Sequence, residues 1–148
     1  MAGEGVCGYF MDRSGGSLQP WAYRDGASYL SDYAQLTISG EPYKPRNPDF
    51  RVAVLTGPRT MSSGEVTTLA FRGKANTLSF GQPTGGYSTT NTTRILSDGA
   101  MVILTVSIYG DREKNGYDDK VMPDVLVEET EREDAALAAA LAWLRKEK

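Results

Sequence analysis

The stretch from residue 51 to residue 80 constrains the fold more than any other part of the chain. A β-branched and apolar run at 51–56, which reads RVAVLT, predicts a buried strand. Helix-compatible residues follow at 62–73 and stop at Gly73, and a second strand-like run stands at 77–80. This order predicts a β-α-β unit, in which the two strands are parallel and the helix packs over the sheet.

Ser62 stands where the first of these strands is expected to give way to the helix. The segment TMSSGE at 60–65 places its hydroxyl among the N–H groups that begin a helix without intrahelical partners. Such donors can stabilise a developing oxyanion. Ser62 and Glu65 also have the spacing of a capping box, in which each side chain accepts the other residue's backbone N–H. The two roles of Ser62, cap and nucleophile, compete because a hydroxyl bonded to the helix is a poorer nucleophile.

Composition indicates a folded protein and excludes several kinds of site. The 148 residues are 40% hydrophobic and 24% charged, which fits one domain over 1–148 with a sizeable core. The net charge is -3 and the Lys and Arg residues are scattered, so we expect no nucleic-acid partner. The chain has no histidine and one cysteine, which excludes an internal Ser-His-Asp triad and thiolate metal clusters. We expect no cofactor and no metal.

The sequence leaves the compartment open. No apolar run approaches the length of a membrane span, so no membrane-spanning segment is predicted. Residues 1–5 lack the basic and apolar regions of a signal peptide.

Further strands and a hairpin are predicted from alternating and β-branched runs bounded by turn residues. They lie at 5–11, 17–23, 35–38, 92–96, 101–109 and 123–127. Pro20 marks its strand as an edge strand or a bulge, because proline cannot donate to a ladder. The run at 101–109 is apolar at nearly every position, which predicts that both of its faces are covered.

The chain ends in a predicted helix. Thr130 and Glu133 have capping-box spacing at its start. Four residues recur at helical spacing and form the predicted buried stripe. They are Leu137, Ala140, Leu141 and Leu144.

Five short motifs stand in one order along the chain. They are VAVL at 52–55, TMSSGE at 60–65, GQPTGG at 81–86, LSDG at 96–99 and MPD at 122–124. In this order they resemble the core of the C-terminal processing (tail-specific) peptidases, the family that includes the tricorn protease core. The resemblance implies an α/β fold, a crotonase/ClpP-like core of β-β-α units with a C-terminal helix. It also implies serine-type endopeptidase activity.

The resemblance assigns roles to particular residues. Ser62 takes the position of the nucleophile, and the backbone N–H of Ser63 that of an oxyanion donor. Asp118 or Asp119 takes the position of an orienting acid. Tyr87 stands where one branch of the family has a basic lysine, so the chain is closer to the tricorn-like branch, which uses an upstream histidine. We therefore expect a C-terminal fragment of a catalytic domain that is inactive in isolation.

Three functions remain open from the sequence. The first is a peptidase that binds peptide or protein substrates in extended form by strand addition. The second is a non-catalytic peptide-binding or scaffolding domain of the same fold. The third is acyl-thioester chemistry, for which no basic cluster is evident. If the chain is a fragment, we expect uncovered apolar surface and either self-association or association with a missing N-terminal part.

Overall fold

The computed structural model describes residues 6–12, 14, 18–24, 27–31, 33–47, 49–130 and 134–146. This part of the chain forms two β-sheets and two helices, as expected for an α/β protein. The strands are β1 (Val6–Met11), β2 (Leu18–Arg24), β3 (Ala27–Leu30), β4 (Tyr33–Thr37), β5 (Val52–Thr56), β6 (Thr77–Gly81), β7 (Thr89–Ile95), β8 (Met101–Gly110), β9 (Gly116–Tyr117) and β10 (Val125–Leu126). The helices are α1 (Ser63–Phe71) and α2 (Ala135–Leu144).

The larger sheet is antiparallel and has the strand order β4-β3-β2-β1-β8-β7, with β9 also paired to β8. Strand β2 lies between β1 and β3, so the edge-strand alternative at Pro20 is wrong. The β1–β2 pairing does have a bulge or irregularity next to Pro20, between Val6 and Gly8 of β1 opposite Trp21 and Ala22. Pro20 has no N–H to donate, and it is tolerated because the ladder with β3 begins at the next residue, Trp21. On the β3 side the Pro20 carbonyl accepts the Ser31 N–H at 2.7 Å.

The smaller sheet is parallel and has the order β10-β6-β5. The predicted β-α-β unit is confirmed, since β5 and β6 pair in parallel from Val52↔Thr77 to Thr56↔Gly81 and α1 connects them. The expectation of a buried β5 is wrong. It is an edge strand of this sheet, and Leu55 is 44% exposed.

Helix α1 contacts strands of both sheets, and the core of the described residues forms around it. Leu69 of the helix packs with Tyr109 and Val121, which are also buried. Gly73 follows the helix with a φ of 69°, a left-handed conformation that suits glycine and ends the helix where predicted.

The hairpin of β7 and β8 is confirmed, but the predicted burial of β8 is wrong. Its first half is exposed, with 72% of Met101 and 69% of Ile103 accessible. Only the end of the strand, Ile108 to Gly110, is buried, where β8 also pairs with β1. The apolar hairpin therefore projects from the body of the protein.

Helix α2 packs on β5 and β6, with the ring of Trp143 5.7 Å from that of Phe80. Ala140 is buried as predicted, whereas Leu137, Leu141 and Leu144 are exposed. The predicted stripe is thus rotated, because the small residues and Trp143 face the sheet. Asp134 caps the helix by accepting the Leu137 N–H at 2.8 Å. The predicted cap at Thr130 includes Glu133, which lies outside the described residues.

Neither described helix has the length and apolar character needed to cross a bilayer.

Candidate active site

Ser62 lies in a tight turn between β5 and α1 and has a backbone conformation that serine rarely adopts. Its φ is 49° and its ψ is -111°. A non-glycine residue in this region is strained, and such strain at a strand-to-helix turn is typical of a nucleophile elbow. The side chain is exposed. The predicted capping box is present: the Ser62 side chain faces the Glu65 N–H, and the Glu65 carboxylate accepts the Ser62 N–H.

The backbone N–H of Ser63, the first residue of α1, donates to no acceptor within the described part of the chain. It directly follows the exposed Ser62 hydroxyl. An unpaired N–H at a helix N-terminus carries a partial positive charge and can bind an anion. The turn thus places a hydroxyl and a free donor side by side.

Glu65 is completely buried, and its carboxylate holds this turn by hydrogen bonds. One carboxylate oxygen accepts the Ser62 N–H at 2.9 Å and the Tyr87 N–H at 2.9 Å. The other accepts the Gly86 N–H at 2.9 Å and the Thr84 hydroxyl at 2.5 Å. A buried carboxylate with four donors has its desolvation offset by charge-assisted hydrogen bonds. Glu65 therefore joins the turn to the Gly-rich loop at 81–86.

Thr84 extends this network into the core. It is 1% exposed, and its hydroxyl donates to Glu65 while accepting the Val121 N–H at 2.8 Å. Nearby, the Gly85 N–H donates to the Thr60 carbonyl at 2.9 Å. The sequence pointed to Glu65 as a cap only. The GQPTGG motif at 81–86 contributed to the family resemblance, but the sequence did not show that this loop bonds the glutamate.

The two glycines of the loop are required by close contacts. A Cβ on Gly85 would lie 2.4 Å from Cγ of Met61. Gly86 has a φ of 88°, and a Cβ there would lie 2.8 Å from Oδ1 of Asp119. The loop thus packs tightly against Met61, the residue before Ser62.

Asp119 contacts the loop at Gly86, and both Asp118 and Asp119 are exposed. Neither forms a hydrogen bond to Ser62 among the described residues. The Tyr87 side chain is 61% exposed, and it is the backbone of Tyr87 that contacts Glu65.

Two tyrosines near this network have raised pKa values. Burial raises the pKa of Tyr109, and the negative charge of Glu65 adds to the effect. Burial also raises the pKa of Tyr117 to about 12, helped by the hydrogen bond that its hydroxyl donates to Asp111. Both phenols therefore remain protonated near neutral pH.

Comparison with known proteins identifies the family to which this chain belongs. Residues 9–127 match the profile of peptidase family S41. The chain belongs to peptidase family S41, and the predicted resemblance to the C-terminal processing peptidases is confirmed.

Individual relatives are longer than this chain. It is 32% identical over 97 residues to the nisin-resistance protein of Lactococcus lactis subsp. lactis, covering 65% of this chain and 29% of that protein. A lipoprotein structure from Streptococcus agalactiae superposes with a TM-score of 0.63 and 26% identity, over 97% of this chain and 46% of the lipoprotein. A shorter match is to the photosystem II D1 C-terminal processing protease, with a TM-score of 0.48, 30% identity and coverage of 53% and 20%. The chain therefore spans less than half of each of these proteins.

Proposed function

We propose that this chain is the core of a serine-type endopeptidase, with Ser62 as nucleophile and the Ser63 N–H as one oxyanion donor. The single observation that carries the proposal is the strained, exposed backbone of Ser62 at the first turn of α1. Membership of peptidase family S41 supports it. We also propose that the two sheets and α1 correspond to a crotonase/ClpP-like core.

In this proposal the Ser62 Oγ attacks the carbonyl carbon of the scissile peptide bond. A C–O bond forms, the hydroxyl proton passes to a base, and the carbonyl oxygen becomes an oxyanion that accepts the Ser63 N–H. Collapse breaks the C–N bond, and the leaving amine takes up a proton. Water then hydrolyses the acyl-enzyme. Glu65 contributes by holding the turn and the loop in register rather than by touching the substrate.

The proton acceptor for Ser62 is not an imidazole of these 148 residues, because the chain has no histidine. The Tyr87 side chain is exposed, and only the backbone of Tyr87 bonds Glu65. Asp118 or Asp119 is proposed as an orienting acid, and the contact of Asp119 with Gly86 favours Asp119. We therefore expect slow peptide turnover by the isolated chain.

Covalent labelling with a fluorophosphonate, mapped by peptide mass spectrometry, tests the nucleophile. Working at about pH 9 lets hydroxide replace the missing base. We expect one adduct on Ser62, lost in S62A and kept in S63A, because only the backbone of Ser63 is assigned a role. Absence of labelling at Ser62 would favour the non-catalytic peptide-binding domain.

We also propose that the chain self-associates through the apolar hairpin. Ile95, Met101 and Ile103 are 74%, 72% and 69% exposed on adjacent strands, and contiguous exposed apolar surface commonly marks an interface. Sedimentation at micromolar concentration should show species larger than a monomer. A single monomeric species would contradict this part of the proposal.

A further inference from the structure

A groove lies at the edge of the parallel sheet where its strands end. Strands β5, β6 and β10 run in the same direction, so the segments that follow them meet at one edge, which is where open α/β sheets bind ligands. The segment after β5 leads to Ser62, and the segment after β6 is the Gly-rich loop. The groove has a volume of about 530 Å³. It is lined by Pro58, Gln82, Pro83, Leu126, Glu128 and Glu129.

The groove combines an apolar floor with an acidic wall. Its two prolines and Leu126, which is 61% exposed, supply the apolar surface. Glu128 and Glu129 are exposed, and neither forms an ion pair within the described residues. Among the residues that the structure describes, no lysine or arginine lines the groove. Two carboxylates without an ion pair in this part of the chain, beside apolar surface, complement a cationic side chain with a long aliphatic stem.

The acidic wall is close to the chain segment that carries the nucleophile. A Cβ on Gly57 would lie 3.9 Å from Oε1 of Glu129, so this carboxylate is next to Gly57, the residue that follows β5. Ser62 is five positions further along the same segment. Arg59, in that segment, is exposed and forms no ion pair with either glutamate in the described part of the chain.

The outer side of β10 can pair with an extended peptide. Within the described residues β10 pairs only with β6, and the Val127 N–H donates to Gly81 at 2.9 Å. Because neighbouring residues of a strand point their backbone groups to opposite sides, Leu126 presents its N–H and carbonyl outward. A peptide added there would run along the groove.

We infer that this groove binds an extended peptide segment carrying lysine or arginine, so that Glu128 and Glu129 give the peptidase a preference for basic sequences beside the cleaved bond. The inference rests on the proposed function, because it uses the groove as part of the same substrate site. Two observations favour a basic peptide as the occupant. The glutamates complement a cationic side chain, and they lie on the sheet edge that carries Ser62.

The test is a binding measurement that needs no turnover. Two fluorescein-labelled hexapeptides are compared by fluorescence anisotropy, one with two central lysines and one with two central glutamines in the same alanine background. We expect the lysine peptide to bind about three- to tenfold more tightly at low salt, the range given by one or two exposed ion pairs. The ratio should fall towards one at about 1 M salt, where the Debye length is about 3 Å.

The double variant E128Q/E129Q should abolish the preference for lysine, since it removes both charges and keeps the side-chain size. The control E41Q/E113Q has the same change in net charge at two exposed residues outside the groove and should keep the preference. Three results would overturn the inference. They are equal affinity of the natural chain for the two peptides, a preference for lysine that survives in E128Q/E129Q, and the absence of saturable binding. Fluorophosphonate labelling of Ser62 does not depend on the glutamates, so it shows separately whether the proposed function stands.

Discussion

The buried carboxylate of Glu65 accepts a hydrogen bond from the backbone N–H of Ser62, with 2.9 Å between nitrogen and oxygen. The same carboxylate holds the Gly-rich loop through Thr84, Gly86 and Tyr87. The turn at Ser62 and the loop are therefore not independent segments. A change at Glu65 should loosen both, although its side chain is nowhere exposed.

Glu65 is expected to be a stabilising residue as well as a positioning one. In E65Q an amide NH2 replaces one oxygen and meets N–H and O–H donors, which leaves buried donors without an acceptor. We expect the free energy of unfolding to fall by about 2–4 kcal/mol in urea denaturation. The exposed control E113Q should stay within about 0.5 kcal/mol of the natural chain. An E65Q value within that same margin would contradict the network.

Gly86 and Gly99 form a matched pair for testing the loop. Their φ values are 88° and 86°, so alanine is strained by a similar amount at both, about 1–2 kcal/mol. A Cβ added at Gly99 would have no neighbour within 4 Å, whereas a Cβ added at Gly86 would lie 2.8 Å from Oδ1 of Asp119. We expect both variants to be destabilised, but only G86A to label more slowly at Ser62, by about tenfold, because its methyl group displaces the Asp119 side chain and disturbs the packing beside the loop. Equal labelling rates in the two variants would show that the loop does not position the turn.

Alkaline pH should weaken the fold through Tyr117. Its pKa is about 12 in the folded protein and near about 10 when unfolded, so the folded state holds the phenolic proton more tightly. This contribution to stability is fully present below about pH 10 and is lost as the pH rises towards about 12. Tyr109, whose pKa is also raised, acts in the same direction.

Urea denaturation between about pH 9 and pH 11 measures this loss. The variant Y117F should show a shallower decline than the natural chain, and Y43F, at a residue 88% exposed, should not differ from it. An unchanged slope in Y117F would mean that Tyr117 does not supply the pH dependence.

The sequence predicted the local elements around Ser62 well because they depend on local signals. The β-branched run, the glycine at 73 and the turn residues at 97–99 each act within a few neighbours. The motif order also led to the correct family. Glu65 could be recognised as part of a capping pair, but its three partners in the loop are 19 to 22 residues away along the chain.

Burial was predicted less well than secondary structure. Strand β8 and the leucines of α2 carry the apolar patterns of covered surfaces, yet Ile103 is 69% exposed and Leu137 is 42% exposed. An apolar pattern indicates which face of a strand or helix is suited to packing, but it does not indicate which neighbouring element covers that face. On α2, the small side chains allow closer approach to β5 and β6 than the leucines would, and the Trp143 ring completes that contact.

The most direct test of Ser62 as nucleophile is the formation of a tetrahedral adduct with a peptide boronic acid, followed by ¹¹B NMR. This equilibrium requires the hydroxyl and is favoured by the neighbouring N–H donor, but it does not require the chain to supply a general base. We predict a tetrahedral boron signal with the natural chain and with S63A, and only the free trigonal signal with S62A. A tetrahedral signal that persists in S62A, or its absence in the natural chain, would contradict the assignment of Ser62.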